Sequence, residues 1–335
     1  MYDFLIVGSG ISACTFAAIL KHKYKIIVID VRNHIGGNCY DYKIDNTIIQ
    51  KYGPHFFHTK NKEVVEFLSR FTEWIPYNHS VTAEIDYNGN MLMTPFPYSK
   101  ETEKILGKSL SDSEVVDTFF KKYSKKMWNI EWDLLPKYIK NRVIRTPQEK
   151  SIYFPDQFVG VPKLGYTKML ENMIDGVDIK LNCDPTEWKK IKSHNIVYCG
   201  RLDKVLDNSK ELTWRNLKFD LKFEHWDTNT TVVNFCHSKS IFTRKTNFNK
   251  IPNNLYKDNS KNFVMYETPT DLFEDIHNPF YSFRNQENIE YYDELRDKIS
   301  LIYPNMTLLG RTATYKYLDM DAACAIAINQ AKKYI

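Results

Sequence analysis

Residues 4–7 form a short apolar run that stops at Gly8-Ser9-Gly10. A helical stretch follows from residue 11 to about 22, and a second apolar run spans 25–30. Strand, tight glycine turn, helix and strand in that order make a βαβ unit. Residues 77–93 read as two strands around Asn88-Gly89-Asn90, a hairpin signal. From 99 to 142 the period is helical, with apolar residues at Val115, Val116, Phe119 and Phe120. A helix over 163–173 leads to a strand at 177–181, and 195–199, closed by Gly200, is a buried strand. Aromatic-rich, alternating runs across 216–283 predict a mostly antiparallel sheet. A helix over 287–303, a strand at 306–309 and an Ala- and Ile-rich helix over 321–334 complete the chain. Elements of the cofactor-binding kind therefore lie at both ends, and the domains are discontinuous in sequence.

Composition narrows the class. The 335 residues are 43% hydrophobic and 26% charged, ordinary for a globular protein, while 22 Tyr and 20 Phe suit a site that stacks flat rings. The net charge of +5, from 46 basic and 41 acidic residues, is too mild and too scattered for nucleic acid. An anionic small substrate is compatible with it. Cys14, Cys39, Cys183, Cys199, Cys236 and Cys324 are far apart with no C-x-x-C pair, so neither a zinc site nor a redox dithiol is expected. No metal is assigned. The first strand begins at once, without a secretory signal, and no apolar run approaches the ~18–20 residues that span a bilayer. The expectation is a cytoplasmic protein with reduced thiols and no membrane span.

Gly8-Ser9-Gly10-Ile11-Ser12-Ala13 fits G-x-G-x-x-G/A between a strand and a helix start. Gly8 allows the tight turn, Gly10 lets a pyrophosphate approach the backbone, and Ala13 keeps helix and strand close. The helix N-terminus adds amide donors and the positive end of its dipole. Asp30 ends the second strand, where a carboxylate binds ribose hydroxyls. Arg32-Asn33-His34-Ile35-Gly36-Gly37-Asn38 brings a second glycine turn against the cofactor and favours FAD over NAD.

From residue 1 through these two turns, the chain resembles the bacterial UDP-galactopyranose mutase family. The likeness continues in Lys51-Tyr52-Gly53-Pro54-His55-Phe56-Phe57-His58-Thr59 and recurs in order: 123–128, 142–153, Gly160-Val161-Pro162, Phe242-Thr243-Arg244, Pro279-Phe280-Tyr281, Gly310-Arg311, and 315–320. The resemblance implies an α/β architecture of three parts. These are a Rossmann-like FAD-binding domain (1–75, 164–210 and 300–335), a small helical domain (97–142) and an antiparallel β-sheet domain carrying substrate (76–96, 143–163 and 211–299). It implies an isomerase that interconverts the pyranose and furanose forms of a UDP-sugar, UDP-galactose in the family. Reduced flavin attacks the anomeric carbon through N5 and UDP leaves. An NAD(P)H or other donor would reduce the FAD.

Residue by residue, Arg142 and Arg244 match the catalytic pair that neutralises the departing pyrophosphate, a task suited to the bidentate guanidinium fork. Tyr123 and Trp128 match the uracil shelf and the cleft wall; five residues apart, they cannot share one helical stripe. Tyr153, Tyr281 and Tyr317 match tyrosines that hold the diphosphate. His55 matches a flavin contact and His58 a contact to flavin or sugar, which tilts the substrate towards galactose. Gly8, Gly10, Ser12, Ala13, Asp30, Arg32, Gly37, Asn38, Arg311, Asp319 and Met320 match cofactor positions, with Asp319 at the start of the terminal helix and its dipole aimed at the flavin. Two departures stand out. The stretch between Pro97 and Tyr123 is shorter than in the family by roughly two helices of 10–14 residues, which predicts a monomer or a dimer built differently. His79-Ser80 stands where the family has Asn-Ser, placing a new side chain near the sugar. An amine-oxidase-like flavin oxidoreductase and a non-catalytic UDP-sugar binder are the alternatives the residues leave open.

Overall fold

A computed structural model describes residues 1–141, 143, 147–207, 209–254, 261–271 and 279–335. Its first layer is a five-stranded, wholly parallel sheet in the order Asp178–Lys180, Ile26–Ile29, Tyr2–Val7, Ser193–Tyr198, Met306–Leu308. The central strand is buried on both faces: Phe4 and Ile6 point to one core, Leu5 to the other, as parallel sheets require. Helices Ile11–Leu20, Tyr166–Met173 and Met320–Ala331 cover the first face. Helix Gln286–Ile302 covers the second through Tyr292, Leu295 and Ile299. Helix Ile11–Leu20 has apolar or small residues all round, and nine of its ten are buried. Such a helix belongs inside a layer and not on a surface.

The second layer is a seven-stranded sheet in the order Tyr281–Ser282, Trp214–Glu224, Asn262–Thr270, Arg244–Asn247, Val232–Phe235, Val81–Tyr87, Asn90–Phe96. The expected hairpin is its last pair, turned by Asn88 and Gly89 at φ 53° and 82°, the backbone signs of a type I′ turn. The sheet is mostly antiparallel, as expected, with one parallel pair: Val232–Phe235 runs parallel to Val81–Tyr87. That pair is formed by strands distant in sequence, so alternation alone could not set its direction. Strand Phe158–Pro162 joins neither large sheet; it lies between Phe57–Thr59 and Trp74–Pro76 in a three-stranded sheet.

The helical region is broken, not continuous. Helix Lys100–Leu106 ends at Gly107, and a second helix starts at a capping box between Ser111 and Glu114. It runs through Asp112–Val115, a π-helical turn at Val116–Lys121, and Lys122–Trp128. Val115 and Phe119 pack towards the sheet, and Val116 packs on Trp132, Leu135 and Ile139. The helix is thus sandwiched between two small cores, and its last segment faces the junction of the layers.

Candidate active site

The glycine fingerprint builds a close-packed cradle. Gly8 has φ +102°, and a Cβ there would lie 3.1 Å from Cys199 Cβ. A Cβ on Gly37, at φ +58°, would lie 3.0 Å from Gly10 Cα, so the two glycine turns touch backbone to backbone. Asp30, 8% exposed, fastens the first turn. Its Oδ2 accepts from Ser9 N at 2.7 Å and Ser9 Oγ at 2.6 Å, and its Oδ1 from Arg32 N at 3.0 Å. Arg32 fixes the second turn by donating from Nη2 to Asn38 Oδ1 at 2.9 Å. Ser12 Oγ donates to Ala323 O at 3.4 Å and ties the first helix to the terminal one. Ala13, fully buried, lets that helix sit against the sheet.

Helix Ile11–Leu20 has no side-chain N-cap and no acid in its first turn although its start is buried. A buried, uncapped N-terminus calls for an anionic partner, and a dinucleotide pyrophosphate supplies one. Helix Met320–Ala331 also lacks a side-chain cap, but its start is exposed at Asp319 and it carries an acid, Asp321, in its first turn. Asp319 takes the N-cap position, but its side chain makes no capping hydrogen bond. Asp321 is instead the acid engaged there, accepting from Thr59 Oγ1 at 2.7 Å and from its neighbour Ala322 N at 2.6 Å. Met320 opens the helix and packs on the first core. Arg311 follows Gly310, where an added Cβ would meet Ser12 Oγ at 3.3 Å. The Arg311 guanidinium donates twice to Leu318 O, at 3.1 and 2.6 Å, and lies 4.5 Å over the Tyr317 ring. These residues fit a dinucleotide cofactor: two backbone cradles, an acid at the end of the second strand and one buried, uncapped helix N-terminus.

His55 lies between cradle and cleft. Its Nδ1–H donates to Gly53 O at 2.9 Å, and burial lowers its pKa to about 4, so the ring is neutral. His58 Nδ1 bonds Asp156 Oδ2 at 2.8 Å, and its ring stacks on Phe154 at 3.9 Å. Phe154 also stacks on His79 at 5.2 Å, and Tyr153 meets His79 edge-on at 4.9 Å. Tyr77 O–H donates to Thr231 Oγ1 at 2.7 Å, so His79 Nδ1–H is the donor in its 2.9 Å bond to Tyr77. Burial lowers the His79 pKa to about 3. Its Nε2 therefore carries a lone pair at neutral pH.

The other half of the cleft is built on Arg244. Strand Arg244–Asn247 pairs with Asn262–Thr270 so that Arg244 is opposite Glu267, and Arg244 Nε donates to Glu267 Oε1 at 2.5 Å. Glu267 is 2% exposed; burial raises its pKa and Arg244 opposes the rise. Tyr123 and Tyr281 stand within electrostatic reach of this pair, and Tyr153 within reach of Tyr123. Tyr281 stacks on Tyr317 with centroids 6.2 Å apart and planes within 7°, and Trp128 meets Tyr281 edge-on at 6.1 Å. Tyr123 and Trp128 both pack on the cluster of Tyr52, Met127, Leu217 and Phe280. Five residues apart, they reach that cluster from different faces of the helix. Trp128 is the last residue of its helix, and its bicyclic ring reaches the shared cluster from the flank.

Of the described sequence-predicted residues, His58, His79 and Tyr153 meet around Phe154, Trp128, Tyr281 and Tyr317 form a second aromatic group, and Arg244 lies near enough to His55 and His79 to lower their pKa values. Arg142 lies outside the described residues. Sequence reasoning missed Glu267, Asp156, Tyr77 and Arg215. The signal for Glu267 was a lone acid in the run Phe263-Val264-Met265-Tyr266, since a carboxylate in a buried strand needs a partner.

Residues 118–317 match the family model described as UDP-galactopyranose mutase, and residues 6–71 match that of an NAD(P)-binding Rossmann-like domain. A UDP-galactopyranose mutase of Mycoplasma genitalium is 32% identical over 392 aligned positions covering 100% of this chain and 95% of the relative. A dTDP-fucopyranose mutase of Escherichia coli is 28% identical over 379 positions, covering 100% and 99%. Among solved structures, a reduced UDP-galactopyranose mutase superposes with a TM-score of 0.76 at 10% identity, over 100% of this chain and 94% of that one. A putrescine oxidase superposes with a TM-score of 0.58 at 11% identity, over 99% and 98%. Identity that low shows a common fold only. The mutase family model and the Mycoplasma genitalium relative go further: the chain belongs to the UDP-galactopyranose mutase family, a family of flavin-dependent isomerases.

Proposed function

We propose that this chain interconverts the pyranose and furanose forms of UDP-galactose and works with reduced FAD. The observation that carries the reading is Arg244, held by buried Glu267 among Tyr123, Tyr281 and Tyr317, beside a cradle that fits a dinucleotide. Sugar–phosphate cleavage leaves a pyrophosphate whose charge grows in the transition state. A fixed guanidinium strengthens its hold as that charge develops and lowers the barrier itself. Burial pushes the hydroxyl pKa values of Tyr123 and Tyr281 upward, so both remain O–H donors at neutral pH. Arg142 is the second arginine of this set. Trp128 and Tyr123 form the shelf for the uracil, and His58 and His79 face the sugar. Bound in the cradle and reduced, FAD would supply N5 as the nucleophile for the anomeric carbon. His55, neutral and fixed by Gly53, would orient that cofactor without exchanging a proton. Reducing power comes from NAD(P)H or another donor.

dTDP-fucose is the second reading, favoured by the Escherichia coli relative and by the aromatic lining of the His79 end, Phe56, Tyr153 and Phe154. The test is incubation of dithionite-reduced and oxidised protein with UDP-galactofuranose, separating products by chromatography. Formation of UDP-galactopyranose only in the reduced sample is the expected result. Faster conversion of dTDP-fucofuranose would move the assignment to the second sugar. Oxygen-consuming turnover of an amine would replace it with an oxidase, and UDP binding without conversion of either sugar would leave a binder.

A further inference from the structure

We infer that Arg215 is a positioning residue that sets the nucleotide shelf: it locks the C-terminal end of helix Lys122–Trp128 and thereby holds Trp128 and Tyr123 in register with Tyr281. The assignment rests on the proposed function, in which those aromatics bind the nucleotide.

Helix Lys122–Trp128 ends at Asn129, whose backbone turns left-handed at φ 55° and whose N–H closes on Lys125 O at 2.8 Å. The following carbonyls, Lys126 and Met127, have no helical partner, as at every helix C-terminus. Arg215 takes both. It is 7% exposed, on strand Trp214–Glu224; its Nε donates to Met127 O at 2.6 Å and its Nη2 to Lys126 O at 3.0 Å. Its Nη1 pairs with the Asp271 carboxylate, whose other oxygen accepts from Asn129 Nδ2 at 3.4 Å. A buried cation at the negative end of a helix is favourable, and the carboxylate offsets its desolvation. Only a planar fork reaches two carbonyls and a carboxylate at once.

The placement gives the clamp its consequence. In the sheet, Arg215 is directly opposite Tyr281. One residue therefore fixes, through backbone pairing, the strand that carries Tyr281 and, through its side chain, the helix that carries Trp128. The 6.1 Å edge-on contact between the two rings spans this joint. Lys126 anchors the helix on its other side, donating to Phe235 O at 2.8 Å and Phe242 O at 2.7 Å, two residues before Arg244. Arg215 belongs to neither the cradle nor the Arg244 cluster, so its effect passes through the shelf.

The test is steady-state kinetics of the reduced holoenzyme with UDP-galactofuranose, with UDP affinity by calorimetry, for Arg215→Met, Arg215→Lys and Asp271→Asn. Arg215→Met is expected to raise KM and the UDP dissociation constant by roughly tenfold or more, with kcat within about threefold, because a charge-assisted pair of hydrogen bonds is lost from a ground-state binding surface. Arg215→Lys recovers part of this. Asp271→Asn, at a 66% exposed side chain that the fold tolerates, moves the same quantities in the same direction by less. On a Trp128→Phe background, Arg215→Met adds little, the non-additivity of residues that act as a unit. Loss of kcat and thermal stability at unchanged KM and UDP affinity overturns the assignment, as does full additivity with Trp128→Phe. If the unmodified holoenzyme binds no UDP, the proposed function falls and this assignment with it. Normal binding by the parent with unaltered variants removes the clamp alone.

Discussion

Arg244 and Glu267 form a charged pair inside a sheet, where neither would be stable alone. Removing one partner of such a pair leaves an uncompensated charge, with a penalty of about 3–5 kcal/mol. Glu267→Gln is expected to reduce the urea midpoint and, by releasing Arg244 from its orientation, to lower kcat by roughly tenfold to a hundredfold. Arg244→Lys keeps the charge but loses the fork, so kcat should fall by about a hundredfold with smaller loss of stability; stopped assays and urea titration check both. The histidines carry a pH signature. His55 and His79 have pKa values lowered by burial to about 4 and about 3 from the ordinary 6.5. Between those values and 6.5 the unfolded chain binds protons that the native one does not, so stability is complete above pH 6.5 and declines as pH falls. The decline is at most about 1.4 kcal/mol per pH unit per histidine. Melting temperatures at pH 7.5 and 5 should differ, and His79→Asn should narrow the gap.

At the scale of elements, the βαβ unit was legible because its signals are local. Glycines at a strand end, a helix of apolar and small residues and an acid after the next strand each act within a few residues. The contact of the two glycine turns was not, since only the fold shows that Gly37 and Gly10 meet. Gly37→Ala introduces strain at φ +58° and a Cβ 3.0 Å from Gly10 Cα. With strain of about 1–3 kcal/mol, purified protein should retain flavin about tenfold or more weakly, measured as absorbance before and after dialysis. The helical stretch from 99 to 142 was legible as helical in character but not in its breaks. The π turn at Val116–Lys121 and the left-handed Asn129 answer to two flanking cores, which periodicity does not resolve. Tyr123 and Trp128 illustrate the same limit: spacing puts them on different faces, and packing at the helix end brings them to one cluster.

At the scale of the molecule, the alignment with the Mycoplasma genitalium relative runs over 392 positions against the 335 residues of this chain. The relative therefore has segments that this chain lacks, and we propose that they belong to the helical region, leaving less surface for association there. A monomer, or a dimer through another face, is the expected result of light scattering; a dimer broken by substitutions in 100–128 would contradict it. The chain's sequence by itself determined the dinucleotide-binding unit and the family, because turn chemistry and ordered motifs are written locally. Tertiary structure decided the rest: the parallel pair in the large sheet, the burial of Glu267 beneath Arg244, the tautomer of His79 and the clamp at Arg215. Each depends on groups far apart in the chain meeting where water is excluded, and there a hydrogen bond or a charge takes its strength from neighbours that no local pattern records.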